Sequence, residues 1–262
     1  MTMTTPAIQK TQDARGVVHL QLNRPDAFNA LSREVMTELQ QHLDAVAEDA
    51  QARVVVIAAA GKAFCAGHDL REMRATPSQA FYEDLFAQCS RMMLSLQRLP
   101  VPVIAQVQGI ATAAGCQLVA MCDLAVAANN ARFAVSGVNL GLFCATPSVA
   151  LSRNLSRKAA FEMLVTGQFI SAEEAQAKGL LNAVCAPEAL DATVAGYVDS
   201  ILQKPRVALA MGKQLFYRQL EQNIEAAYQS AGQTMACNMM DEAALEGVQA
   251  FIDKRSPNWR RA

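Results

Sequence analysis

Two glycine-containing turns constrain this chain more than any other feature. One lies in residues 61–70 (GKAFCAGHDL) and the other in residues 109–123 (GIATAAGCQLVAMCD), and each follows an apolar run typical of a buried strand. When a strand passes through a turn of small residues into a helix, the first backbone N–H groups of the helix have no intrahelical partner. Two such turns that face each other would form a hole for a developing oxyanion. The sequence therefore predicts an α/β fold with an anion-stabilising site at these turns.

Strand-like and helix-like segments alternate over roughly the first 140 residues. Strands are expected at residues 16–22, 53–60, 103–107, 124–128 and 133–135, and helices at 32–50, 77–96 and 118–122. From Pro147 onward the pattern is mostly helical, with helices expected at 187–203, 205–220, 224–240 and 241–254. This order favours a parallel sheet with packed helices. We expect a core over residues 1–200, with a flexible tail over about 1–10, and a C-terminal helical region over 201–262.

Charge and cysteine content limit the partners. The 262 residues carry 23 Lys and Arg against 24 Asp and Glu, which gives no positive excess for nucleic acid or an anionic membrane. No apolar run reaches the ~18 residues of a membrane helix. The seven cysteines form no CxxC pair and the three histidines lie far apart in sequence. We therefore expect a cytoplasmic protein with reduced thiols, with no metal or covalent cofactor, and with no nucleic-acid or membrane partner.

Six motifs, in one order over nearly the whole chain, resemble the enoyl-CoA hydratase/isomerase (crotonase) family. They are NRPDAFNALS at 23–32, FCAGHDL at 64–70, PVIAQVQGIATAAGCQLVAMCD at 102–123, VNLGL at 138–142, TGQFISAEEAQAKGLLNAV at 166–184 and AFIDKRSPNW at 250–259. The segment VNLGLFCATPSVAL at 138–151 indicates a divergent branch of that family. The resemblance implies a ClpP/crotonase-like spiral of ββα units, with C-terminal helices that form a homotrimer. Two such trimers commonly stack into a hexamer.

The resemblance also implies a substrate and a site. Members of the family bind acyl thioesters of coenzyme A and hold an enolate with two backbone N–H groups, which fall here on His68 and Ala114. Glycine is common in the family where Ala113 and Ala114 stand. The residues that the resemblance places along the coenzyme A and acyl sites are Arg24, Ala27, Ala66, Asp69, Leu70, Ile110, Ser136, Leu140, Phe143, Cys144 and, reaching a neighbouring subunit, Lys254.

Both glutamates that hydratases of the family use as acid and base are replaced. The resemblance places them at Gln117 and Gly137 in this chain. An amide can orient a water molecule but cannot take its proton, and glycine supplies neither function. Standard hydratase activity is therefore expected to be weak, unless a carboxylate of Asp69, Glu72 or Glu83 reaches the same water.

Three functions remain open at this point. The first is a CoA-thioester lyase or isomerase of the enoyl-CoA hydratase type with altered acid–base groups. The second is an acyl-CoA decarboxylase or another enolate-forming enzyme, since GHD at 67–69 and VNLG at 138–141 also occur in decarboxylases of the family. The third is an acyl-CoA-binding protein without catalysis. Cys144 replaces a tyrosine of the decarboxylases, and its thiol is interpreted as a weak donor, a nucleophile or an inert buried group.

Overall fold

The strands of the chain divide between two sheets. The computed structural model describes residues 6–75 and 77–259. The strands are β1 (Ile8–Gln12), β2 (Val17–Leu22), β3 (Val54–Ala59), β4 (Ala63–Cys65), β5 (Val103–Val107), β6 (Ile110–Thr112), β7 (Leu124–Ala128), β8 (Arg132–Ala134), β9 (Ile170–Ser171) and β10 (Ala183–Cys185). The larger sheet has the order β1-β2-β3-β5-β7-β10 and is parallel except at β1. The smaller sheet has the order β4-β6-β8-β9 and is parallel except at β9.

Helices follow pairs of strands. They are α1 (Arg33–Glu48), α2 (Leu70–Ala75), α3 (Gln79–Arg98), α4 (Ala114–Met121), α5 (Ala145–Asn154), α6 (Arg157–Thr166), α7 (Ala172–Ala177), α8 (Leu190–Leu202), α9 (Arg206–Gln219), α10 (Ile224–Met239) and α11 (Glu242–Ile252), with 3-10 turns at Pro25–Ala27, Ser136–Leu140 and Pro187–Ala189. The pairs β3/β4, β5/β6 and β7/β8 each send one strand to each sheet and then continue into helix. This repeated ββα unit confirms the predicted crotonase-like fold, including its helical C-terminal part.

The apolar run of β3 is explained by burial on both faces of the larger sheet. Val55 and Ile57 belong to the main core, which fills the space between the two sheets and α1, α3 and α4. Val54 and Val56 point the other way, into a second core that α8 covers with Leu190 and its apolar neighbours. A parallel strand covered on both faces shows no alternation of apolar and polar residues.

The N-terminal segment differs from its prediction. Residues 8–10, which were expected in a flexible tail, lie in β1 and pair with β2 in antiparallel register. Only Ile8 of that strand is buried, so an edge strand of this kind has little apolar signal in the sequence. Residues 1–5 of the predicted tail lie outside the described residues.

A buried ion pair ties the C-terminal helices to the core. Lys213 of α9 donates to the carboxylate of Asp123 at 2.6 Å and to the carbonyls of Leu96 and Val101 at 2.8 and 3.0 Å. The hydroxyl of Tyr217 donates to the other carboxylate oxygen at 2.7 Å. All three protons of the ammonium group thus have acceptors inside the protein, as a buried charge requires.

Candidate active site

The loop between β2 and α1 is folded by a buried asparagine. Phe28 and Asn29 both have left-handed backbone, with φ of 49° and 54°. The side chain of Asn29 accepts the N–H of Arg24 at 2.9 Å and donates to the carbonyls of Ala60 and Ala63, both at 2.8 Å. These bonds hold the predicted coenzyme A loop against the turn that precedes β4.

The same loop pairs with the first glycine turn. The N–H of Ala66 donates to Phe28 at 3.0 Å, and the N–H of Leu31 donates to Gly67 at 2.8 Å. Leu31 and His68 form an isolated parallel bridge. The backbone around His68 is therefore held in place by the loop on one side.

The two glycine turns meet at Gly67. This residue has φ of 93°, and a Cβ built on it would lie 2.9 Å from Cβ of Ala113 and 3.2 Å from the backbone nitrogen of Ala114. Any larger residue would push the turns apart. Ala114 begins α4, so its N–H has no intrahelical acceptor, and the first helical bond runs from Gln117 to Ala113 at 3.0 Å.

A cavity of about 250 Å³ opens beside the two turns. The predicted site residues that line it are Ala66, His68, Leu70, Ala114, Ser136, Gly137, Leu140, Phe143 and Cys144. Met73, Phe86, Ala113, Leu142, Ala145, Thr146 and Pro147 also line it and were not predicted. None of these described side chains carries a carboxylate, an ammonium or a guanidinium group. The cavity suits an uncharged organic group.

Six predicted positions lie outside the wall of this cavity: Arg24, Ala27, Asp69, Ile110, Gln117 and Lys254. The guanidinium of Arg24 donates to the hydroxyl of Ser32 at 3.1 Å and lies 3.6 Å from the Asp69 carboxylate. Asp69 in turn accepts the N–H of Arg71 at 3.1 Å, so it orders the start of α2, as the turn motif suggested. Ile110 begins β6, and Lys254 follows α11.

His68 places an unpaired imidazole in the wall. Both ring nitrogens are buried without a hydrogen-bond partner among the described residues, and the ring meets Phe86 edge-on at 5.5 Å between centroids. Burial lowers the pKa of His68. The backbone of Leu31 opposes this shift only in part, and it forms no hydrogen bond with the ring. The ring is therefore neutral at pH 7.

Gly137 leaves no room for a side chain. A Cβ there would lie 2.5 Å from the carbonyl oxygen of Leu142 and 2.8 Å from Sγ of Cys144. The N–H of Gly137 instead donates to that sulfur at 3.3 Å. Since burial raises the pKa of Cys144, the group is a neutral thiol at pH 7, which favours the inert role over the nucleophilic one.

Gln117 is buried in α4, with 4% of its surface exposed, and its Oε1 has no partner among the described residues. The carboxylates considered as substitutes are used elsewhere. Glu72 accepts the N–H of Arg33 at 3.0 Å, and Glu83 accepts Gln79 at 2.8 Å on the surface of α3. Neither these nor Asp69 lines the cavity.

The polar groups that do line the cavity are weak acids or neutral donors. Ser136 and Thr146 each place a hydroxyl-bearing side chain in the wall, and the hydroxyl of Ser136 lies 3.0 Å from that of Thr112. Within the described part of the chain, no group of three His, Cys, Asp or Glu side chains is placed to share a metal ion. Every helix over residues 6–75 and 77–259 is too short or too polar to cross a lipid bilayer.

Known proteins share both this sequence and this fold. An enoyl-CoA hydratase from Mycobacterium smegmatis is 64% identical, with a TM-score of 0.97 over 98% of this chain and 100% of that one. Human enoyl coenzyme A hydratase domain-containing protein 3 is 40% identical, with a TM-score of 0.93 over 97% of this chain and 100% of that one. The mouse protein of that name is 42% identical over 97% of this chain and 85% of its own length. These matches confirm the divergent branch indicated by residues 138–151.

The predicted cytoplasmic location is wrong by the same comparison. Five relatives of the domain-containing protein 3 type, 40–43% identical to this chain, are all named mitochondrial. The prediction relied on the cysteines. Reduced thiols indicate only a reducing environment, and they do not distinguish one reducing compartment from another.

The family assignment rests on sequence and structure together. A family model described as enoyl-CoA hydratase/isomerase matches residues 12–262, which includes all six motifs and both glycine turns. The ββα spiral and the solved relatives agree with that match. The chain belongs to the enoyl-CoA hydratase/isomerase family.

Proposed function

We propose that this protein binds acyl thioesters of coenzyme A and stabilises an enolate between the backbone N–H groups of His68 and Ala114. The observation that carries the proposal is the close approach of the two glycine turns, with Gly67 packed against the nitrogen of Ala114 beside an uncharged cavity. The start of α4 adds a partial positive charge at that point. Donors fixed in advance where negative charge develops are typically worth about 10²–10³ in rate each.

The acidic and basic side chains available to the substrate determine the expected activity. We place the protein among CoA-thioester lyases and isomerases, with weak hydration of enoyl thioesters because no carboxylate lines the cavity. A positioned acid or base contributes about 10²–10⁴ in rate. Position 137 has no room for an acidic or basic side chain, and position 117 carries an amide. The coenzyme A portion would lie along Arg24, Ala27, Ala66 and Leu70.

A second candidate function is decarboxylation of a carboxyacyl thioester, and the uncharged wall favours it. A substrate carboxylate placed there would lose its hydration without gaining a cation, which destabilises the ground state. Loss of CO₂ would leave the same enolate between the two N–H groups, and it needs no base. Binding without turnover is the third outcome that the experiment below separates.

Exposed apolar side chains on the C-terminal helices support a homotrimer, or a hexamer of two trimers. Tyr228 of α10 is 75% exposed and Phe251 of α11 is 85% exposed, and Met235 and Met240 are exposed to a similar extent. Patches of this kind mark protein interfaces. A neighbouring subunit would then bring Lys254 towards the coenzyme A phosphate. Light scattering coupled to size-exclusion chromatography would give the mass of the assembly.

Two substitutions at Gln117 test the function. Gln117 lies outside the residues that line the cavity, but it follows Ala114 by three residues in α4, and its buried Oε1 has no partner among the described residues. Gln117→Glu restores a carboxylate of equal size, and Gln117→Met is the matched control that has no acid or base. We expect weak crotonyl-CoA hydration by the native protein, a rise of at least tenfold in Gln117→Glu, and no rise in Gln117→Met. Release of CO₂ from malonyl-CoA would support decarboxylation, and binding with neither signal would support the third function. Failure to bind any acyl-CoA in calorimetry would overturn the proposal.

A further inference from the structure

Ala113 has a backbone conformation that glycine normally takes. Its φ of 51° and ψ of −121° lie outside the left-handed helical region that Phe28 occupies, and match the first central residue of a type II′ turn. An L-residue there is strained, and such strain persists only where the surroundings enforce it. Among the described residues other than glycine with positive φ, Ala113 is the one that lines the cavity.

The surroundings fix both the backbone and the methyl group of Ala113. Its N–H donates to the carbonyl of Ala134 at 2.9 Å, which ties the turn to β8. Its methyl lies 2.9 Å from the point that a Cβ on Gly67 would occupy. The methyl therefore lies where the two glycine turns meet, and Ala113 is one of the residues that line the cavity.

We propose that Ala113 is a specificity-determining residue, whose methyl fills the space beside the acyl α-carbon and selects thioesters that are unbranched at that carbon. This inference rests on the proposed function. The carbonyl oxygen would lie at the N–H of Ala114, and the α-carbon is two bonds from that oxygen. The preceding residue, Ala113, lines the same wall, and a methyl directed into that space would compete with a substituent on the α-carbon. A glycine at position 113 would relieve the strain and leave that space open.

Two isomeric ligands and one matched variant test the inference. Butyryl-CoA and isobutyryl-CoA have the same atoms and differ in branching at the α-carbon. Calorimetry would give their dissociation constants for the native protein, for Ala113→Gly and for Ala145→Gly. The last variant removes a methyl from another part of the wall, at the start of α5, where φ is not positive. We expect the native protein to favour butyryl-CoA and Ala113→Gly to shift the ratio about fourfold towards isobutyryl-CoA, the effect of one buried methyl group.

A second readout reports the strain independently of binding. Relief of the unfavourable φ predicts a higher midpoint of thermal unfolding for Ala113→Gly and a lower or unchanged one for Ala145→Gly. An unchanged ligand ratio in Ala113→Gly, with butyryl-CoA still bound, would overturn the inference and leave the proposed function intact. An equal shift in Ala145→Gly would overturn it too. Native protein that binds neither isomer would overturn the proposed function and the inference together.

Discussion

Replacement of Asp123 by asparagine tests how the C-terminal helices are held on the core. The carboxylate accepts Lys213 and the N–H of Val103, both at 2.6 Å, and Tyr217 at 2.7 Å. The side chains of Lys213 and Asp123 are only 7% and 15% exposed. Asparagine has nearly the same shape. Its one oxygen can accept Lys213 and Val103 while its NH₂ group donates to the Tyr217 hydroxyl, so the variant removes the charge and reverses one hydrogen bond.

The expected loss follows from the charge that remains. Removal of one partner from a buried ion pair costs about 3–5 kcal/mol, because the other charge stays desolvated and unpaired. Lys213 would keep its bonds to the carbonyls of Leu96 and Val101, which places Asp123→Asn at the lower end, about 3 kcal/mol.

Burial already lowers the pKa of Lys213, and loss of the carboxylate would lower it further. At a pH between the folded and unfolded pKa values of this lysine, the unfolded chain binds more protons than the folded one. Stability of the variant therefore rises with pH over that interval. The deficit of Asp123→Asn relative to the native protein should shrink as the pH approaches the unfolded value of about 10.4.

Urea unfolding at a fixed protein concentration provides the measurement. Circular dichroism follows the whole chain, and fluorescence follows Trp259, the only tryptophan in the sequence. A double-mutant cycle with Lys213→Met isolates the pair, and the double variant should recover most of the stability lost in Asp123→Asn. A loss below about 0.5 kcal/mol in Asp123→Asn, or no coupling in the cycle, would refute this account of the ion pair.

Two further predictions concern the glycine turns and the buried thiols. Gly67→Ala should separate the turns and lower any thioester-dependent activity by about 10²-fold or more, with weaker binding in calorimetry; native activity would contradict the placement of the hole. Burial raises the pKa values of Cys65, Cys89 and Cys116 to about 12. The thiols of the unfolded chain ionise near pH 8.5. The free energy of unfolding should therefore be constant with respect to these thiols below that pH, and above it should fall by about 1.4 kcal/mol for each thiol and each pH unit. Urea midpoints at pH 8 and 10 test this, and Cys116→Ala should reduce the slope by at most about a quarter, because burial raises the pKa of Cys122 as well.

The fold could be predicted where the apolar signal was long enough. Five of the six residues of β3 are buried, on both faces of the strand, and Ser32 caps α1 by accepting the N–H of Val35, as the sequence indicated. The smaller sheet was missed in large part because β4 and β6 have three residues each, and such lengths carry no usable periodicity.

The site could be predicted only where motifs carry it. Both turns and most of the loop residues came from motifs, whereas Met73 and Phe86 reach the cavity from helices and depend on tertiary packing. The contact of position 137 with the Leu142 carbonyl and the backbone strain at Ala113 are properties of three-dimensional distance. No pattern of residue types along the chain reports them.

The polarisation of a bound thioester carbonyl tests the central claim most directly. Isotope-edited infrared spectroscopy of butyryl-CoA labelled with ¹³C at the carbonyl would give its stretching frequency in water and in the complex. Two backbone donors at His68 and Ala114 predict a frequency below that in water, and Gly67→Ala should largely reverse the shift. A bound carbonyl at or above its frequency in water would show that no such pair of donors holds it.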